Sequence, residues 1–139
     1  DRTSRGLGDV YKRQSISSGL NLKSVASIRM MFDKKEHNES GSGNGGYDAF
    51  MSAVKKILKK HHLQCPQLLD YQIRIPRGGQ TDALTESIIT WDMNGKRVQT
   101  VGIDPDQVMA AVNATLKMLN LHLMQLDQIN DKNLVESAA

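Results

Sequence analysis

Two segments of the chain, 58 positions apart, carry the same pattern of apolar, small and charged residues. The first begins at Asp48 and the second at Asp106, and each has apolar residues at helical spacing followed by a leucine and a lysine. A glycine-containing segment precedes both. The repeat predicts a duplicated unit in which strands come first and a helix follows. Chance alignment of small and apolar helix residues is the alternative.

Alternation of apolar and polar residues predicts the strands of the first unit. Residues 23–32 alternate and predict a half-buried strand. The polar stretch 33–40 shows no strand pattern, and 41–46 is dense in glycine, which predicts a loop before the helix. The helix is predicted over 48–62, with a frayed end at its two histidines.

The second unit shows three strand patterns, at 71–75, 84–91 and 96–101. Asn94-Gly95 predicts a tight turn between the last two, because both central positions of a type I′ turn need positive φ. Asp104 is predicted to be the N-cap of the last helix, with Pro105 at the first helical position. The first unit, with one clear strand, is the less complete of the two.

These patterns divide the chain into three parts. The domain is predicted over 15–126, with unit one at about 22–64 and unit two at about 68–126, and 127–139 is predicted to be a loose tail. Residues 1–14 look foreign, because 4–14 resembles the translation of a transposase-type sequencing adapter. We therefore expect that segment to be non-native and disordered, and the natural protein to continue upstream. A genuine basic, disordered arm is the alternative.

The basic charge is concentrated in that first segment. The whole chain has a net charge of +3, whereas residues 15–139 hold 14 basic and 13 acidic residues. Few aromatic residues are present and none is interleaved in a basic strand, so no nucleic-acid partner is expected. No apolar run approaches the roughly 20 residues of a membrane helix, so no membrane partner is expected either. The single cysteine, Cys65, suits a reducing cytoplasmic setting.

The glycine segment matches Gly41-x-Gly43-x-x-Gly46, the spacing of dinucleotide-binding loops. A nucleotide site also needs a parallel second strand with an acidic residue at its end, which the chain lacks. A glycine loop that enters a helix exposes backbone N–H groups at the positive end of the helix dipole, which suits the carboxylate of an amino acid. Glycines that merely permit a tight turn are the alternative.

No metal or catalytic site is predicted. His61 and His62 are adjacent and so do not share a helix face, and the chain has no spaced cysteine pairs. Cys65 has no recognisable catalytic base near it and is predicted to be a buried thiol.

Several ordered motifs resemble the regulatory domain of α-isopropylmalate synthases, over roughly residues 21–121. They are GNGGYDAF at 43–50, DY at 70–71 with IP at 75–76, GGxTDA at 78–83, ITW at 89–91, TVGIDPDQ at 100–107 and ATLKMLN at 114–120. The resemblance implies an α+β fold of two βββα units, paired with a second copy as a homodimer. Truncation of the first unit is left open.

The same resemblance implies that the domain senses leucine and mediates feedback inhibition of leucine biosynthesis. A metal-dependent TIM barrel elsewhere in the parent would condense acetyl-CoA with 2-oxoisovalerate, so this chain would have no catalytic residue and no cofactor of its own. Citramalate and homocitrate synthases share the domain. A regulatory domain of citramalate synthase that senses isoleucine, and a purely structural dimerisation module, are therefore alternatives, as is a nucleotide-binding fragment.

Effector-binding residues follow from the motifs. The resemblance implies contacts from Gly43, Asn44, Gly45, Tyr47, Asp48, Asp82, Ala83, Thr85, Ile103 and Asp104. Backbone amides would bind the carboxylate, Asp48 or Asp104 the ammonium, and Tyr47 with Ile103 the isobutyl group. Helix capping is the alternative role of the two aspartates. The family often has proline after Gly-Asn-Gly, where this chain has Gly46, and this departure leaves the identity of the effector open.

Overall fold

The chain folds as two similar units, each made of three strands and a helix. The computed structural model describes residues 15–17, 23–32, 34–76 and 84–138. The elements are β1 (Ser15–Ser17), β2 (Ser24–Phe32), β3 (Lys35–Gly43), α1 (Gly46–Lys60), β4 (Gln67–Arg74), β5 (Thr85–Met93), β6 (Lys96–Asp104) and α2 (Gln107–Ala138). Two antiparallel sheets result, with strand orders β1-β2-β3 and β4-β5-β6. The predicted duplicated βββα architecture is confirmed. The 1–14 segment lies outside the described residues.

The true offset between the two units is 61 residues, so the predicted offset of 58 is wrong. β2 and β5 begin at Ser24 and Thr85, β3 and β6 at Lys35 and Lys96, and the helices at Gly46 and Gln107. An α-helix repeats every 3.6 residues. A match based on helical patterns alone can therefore slip by about one turn, and only the strands fix the alignment.

Strand β3 occupies most of the region in which no strand was predicted. All nine of its residues pair with β2, from Lys35 opposite Phe32 to Gly43 opposite Ser24. The strand lies at the edge of its sheet and most of its side chains are exposed, so it lacks apolar alternation. Lys34, with φ 63°, forms the turn into it.

Gly41 and Gly43, two of the glycines predicted to form a loop, belong to β3 and allow α1 to pack closely against it. A Cβ atom on Gly41 would lie 2.5 Å from the backbone nitrogen of Ala53 in α1. At the equivalent position of unit two, a Cβ atom on Gly102 would lie 1.9 Å from the carbonyl oxygen of Ala110 in α2. Neither space admits a side chain, so glycine is required here by packing.

Helix α2 begins later and ends later than predicted. It starts at Gln107, so Asp106 precedes the first turn and Pro105 lies outside the helix. It continues to Ala138, so residues 127–138 are helical and the loose tail predicted there is wrong. No glycine or proline follows Pro105, and nothing in the sequence therefore interrupts the helix.

The core lies between each helix and its own sheet. Phe32 and Ile57 fill it in unit one, while Trp91 and Met118 fill it in unit two, and all four are at most 1% exposed. Helix α1 packs mainly on β3 and β2, and α2 on β6 and β5. The first strand of each sheet is therefore the least covered by a helix.

Candidate functional site

The entrance to α1 has no side-chain cap. Gly45 is the N-cap residue, with extended backbone angles (φ −150°, ψ 172°), and no side chain accepts a hydrogen bond from the first helical N–H groups. The carbonyl oxygen of Gly45 accepts the N–H of Ala49 at 3.0 Å. Uncapped N–H groups at the positive end of a 15-residue helix can bind an anion such as a carboxylate.

The entrance to α2 is already capped by the protein. One carboxylate oxygen of Asp106 accepts the N–H groups of Val108 and Met109 at 2.7 and 3.2 Å. The carboxylate of Asp104 accepts the N–H of Asp106 at 2.9 Å and shapes the turn before the helix. With the 61-residue offset, Gly45 is the counterpart of Asp106. The two units therefore differ at the position where an anion would bind.

Tyr47 joins the two units through its hydroxyl group. Its oxygen lies 2.7 Å from the hydroxyl oxygen of Thr115 in α2. Thr115 donates its own proton to the carbonyl of Ala111 at 2.8 Å, so Tyr47 is the donor in the bond between the two hydroxyls. Burial raises the pKa of the Tyr47 hydroxyl, which therefore stays protonated. The Tyr47 ring also contacts Phe50 and Tyr71, at centroid distances of 6.2 and 5.9 Å.

The predicted effector residues fall into two equivalent corners. Gly43, Asn44, Gly45, Tyr47 and Asp48 surround the α1 entrance. In unit two, Thr85 is buried and pairs with Asp104, next to Ile103.

The remaining predicted effector residues differ in exposure and in their hydrogen bonds. Ile103 is 48% exposed, and its carbonyl accepts a hydrogen bond from Asn113. Asp48 lies in the first turn of α1 and is exposed, so it is not the N-cap. Asp82 and Ala83 lie outside the described residues.

Two residues that contact Tyr47 where the units meet were not predicted from the sequence to belong to the site. Thr115 entered only as part of the 114–120 motif on the last helix, and Tyr71 only as part of a strand and the 70–71 motif, yet both contact Tyr47. A threonine among the apolar residues of a buried helix face needs a hydrogen-bond partner, which is the signal that could have identified Thr115.

Within the described part of the chain, no group of three or more His, Cys, Asp or Glu side chains could hold a metal ion. Burial raises the pKa of the Cys65 thiol, which opposes a nucleophilic thiolate. None of the helices described is long and apolar enough to span a membrane.

A family model described as the LeuA allosteric (dimerisation) domain matches residues 10–123, so its first five positions overlap the segment predicted to be non-native. The chain is 31% identical over 114 residues to a 2-isopropylmalate synthase of Aquifex aeolicus, which covers 82% of this chain and 21% of that protein.

Two further relatives are equally similar. The chain is 31% identical over 122 residues to a putative (R)-citramalate synthase CimA of Methanosarcina mazei (81% of this chain, 24% of the relative). It is also 31% identical over 115 residues to a 2-isopropylmalate synthase of Pseudoalteromonas atlantica (82% and 21%). The chain spans between a fifth and a quarter of the length of these relatives.

Proposed function

The chain belongs to the LeuA allosteric (dimerisation) domain family, and on that premise we propose that it binds leucine as a feedback effector and forms a homodimer. The parent would be a cytoplasmic 2-isopropylmalate synthase. Condensation of acetyl-CoA with 2-oxoisovalerate, and the divalent metal for it, would belong to a catalytic barrel outside these residues. Some similar proteins are named 2-isopropylmalate synthase and others citramalate synthase, so a citramalate synthase parent regulated by isoleucine is the second candidate.

The observation that supports effector binding is the difference between the two helix entrances. At α2 the protein supplies its own carboxylate, from Asp106, to the first-turn N–H groups. At α1 the equivalent residue is Gly45, and the same groups have no side-chain acceptor. An amino acid offers the missing carboxylate.

Calorimetric titration of the chain with leucine, isoleucine and valine tests the proposal. We expect saturable binding of leucine in the micromolar to millimolar range, weaker for the other two. Tighter binding of isoleucine would assign the parent to citramalate synthase. If none of the three gives heat while the protein is dimeric, the effector proposal is wrong and the chain is a structural dimerisation module.

A substitution at Gly45 tests the location of the site. Gly45→Asp copies the capping residue of α2, and a Cβ atom there meets no other atom within 4 Å. We expect the new carboxylate to cap α1, to raise the melting temperature, and to weaken leucine binding by about tenfold or more, because it competes for the same N–H groups. The matched control, Asp106→Asn, keeps a cap on α2 and should leave leucine binding unchanged. Unaltered binding in Gly45→Asp would place the carboxylate elsewhere.

The surface that supports dimerisation is the helix-facing side of β4. Leu68 and Ile73 pair with Trp91 and Ser87, which are fully buried beneath α2, and so share that side of the sheet. They are nevertheless 37% and 45% exposed. We infer that a second copy covers this apolar edge.

Light scattering measures the oligomeric state directly. The wild-type chain should be dimeric, and Ile73→Lys should shift it toward monomer, because burying an unpaired ammonium in an apolar interface is unfavourable. The control Gln72→Lys introduces the same charge on the opposite face of β4. Equal dissociation in both variants would argue against this face.

A further inference from the structure

Two histidines from different elements meet at the far end of unit one. His61 follows the last residue of α1, and His37 lies on β3. Their Nε2 atoms are 3.1 Å apart, with ring centroids at 4.9 Å and planes at 80°. The buried Phe32 ring packs against the His61 ring, with the two centroids 4.1 Å apart. The two nitrogens are therefore held face to face by packing.

The spacing of these nitrogens equals that of two ligands on one metal ion. For metal–nitrogen bonds of about 2.0–2.1 Å, neighbouring ligand nitrogens lie about 2.9 Å apart at a right angle and about 3.3 Å apart at a tetrahedral angle. The observed 3.1 Å lies between these values. In the metal-free protein one Nε2–H donates to the other Nε2. Metal binding requires the Nε2 proton to leave, so that both Nε2 atoms offer a lone pair to the ion.

The charged residue next to His61 does not oppose a cation. The ammonium of Lys60, the residue before His61, is paired with the carboxylate of Glu39 at 2.8 Å. This contact lowers the pKa of the Glu39 carboxyl, chiefly through the hydrogen bond from Lys60, so the pair stays ionised and carries no net charge.

We propose that His37 and His61 form a two-histidine site for a transition-metal ion of the Zn²⁺, Ni²⁺ or Cu²⁺ class, with water in the remaining coordination positions. Neutral imidazole is a preferred ligand of these ions. The sequence suggested no metal pair because His37 lies 24 positions before His61 and only the packing of β3 against α1 joins them. Bound metal would link the end of α1 to the edge of its sheet.

Titration of the complete chain with ZnCl₂ or NiCl₂, in a buffer that does not chelate metals, tests this site. We expect one saturable site of roughly micromolar affinity and a higher melting temperature with metal, because an ion that binds the folded state stabilises it. His37→Gln and His61→Gln should each weaken binding by about tenfold or more, since each removes half of the protein ligands. Two variants serve as controls: His62→Gln removes the exposed imidazole next to His61, and Cys65→Ser removes the thiol. Both should bind the metal as the wild type does.

Ni²⁺ is paramagnetic, so proton NMR of the wild-type chain gives a readout that does not depend on any variant folding. The ring protons of His37 and His61 should broaden together at substoichiometric Ni²⁺, before those of His62 and His122. Absence of saturable binding below millimolar metal would overturn the proposal. Equal loss of binding in His62→Gln, or broadening of His62 first, would overturn it as well.

Discussion

His122 shows how one buried side chain makes stability depend on pH. It is the counterpart of His61 at the 61-residue offset, but its Nε2 donates to the carbonyl of Gln64, which follows α1. Its Nδ1 is buried without a hydrogen-bond partner in the described structure. Because Nε2 carries the proton, Nδ1 is an acceptor in the neutral ring, and protonation would create a buried donor with no acceptor.

The pKa of His122 is accordingly lowered, chiefly by burial. The unfolded chain therefore takes up this proton before the folded chain does. The stabilising contribution is complete above the ordinary histidine pKa of about 6.5 and is lost as the pH falls through that value toward the lowered one. We expect urea unfolding of the wild type to show this loss, and His122→Gln to flatten the curve there. His62→Gln, at an exposed position, should keep the wild-type slope, and a flattening in that variant would contradict the assignment.

At the scale of elements, each helix is seated on its sheet by a glycine. Gly102→Ala would place a methyl group 1.9 Å from the carbonyl oxygen of Ala110, so β6 and α2 must separate. Such overpacking should cost about 2 kcal/mol or more in the free energy of unfolding, measured by urea denaturation. Gly45→Ala, which meets no atom within 4 Å, should change stability by well under half that amount. If both variants lost the same amount of stability, the cause would be the replaced glycine backbone and not the close contact between Gly102 and Ala110.

The same elements show what the sequence could and could not predict. β2 and β5 were predictable because one face of each is buried and apolar residues recur on it, and β6 was predictable because the Asn94-Gly95 turn precedes it. β3 was not, because its sequence, KEHNESGSG, holds no large aliphatic side chain and the backbone hydrogen bonds that hold it impose no side-chain pattern. At the candidate site, the residues of the α1 entrance were identified from the motifs, whereas the cap by Asp106 and the junction at Thr115 depend on where the turn and the second unit lie in space.

At the scale of the whole molecule, the hydrogen bond between Tyr47 and Thr115 connects the two units. Tyr47→Phe removes the donor and keeps the ring contacts, while Thr115 retains its bond to Ala111. We expect a loss of about 1 kcal/mol in the free energy of unfolding.

A double-mutant cycle separates this bond from local effects. Tyr47→Phe combined with Thr115→Val should cost less than the two single changes added together, because both remove one shared contact. Strict additivity would show that the hydroxyls do not interact in solution.

The self-capped entrance of α2 has a consequence for the stoichiometry of regulation. Duplication would otherwise give every chain two equivalent places for an effector, but Asp106 fills one of them. Under the proposed function, each chain takes up one leucine and each dimer two. Cooperativity within an isolated dimer is then limited to a Hill coefficient of two, however strongly the subunits are coupled.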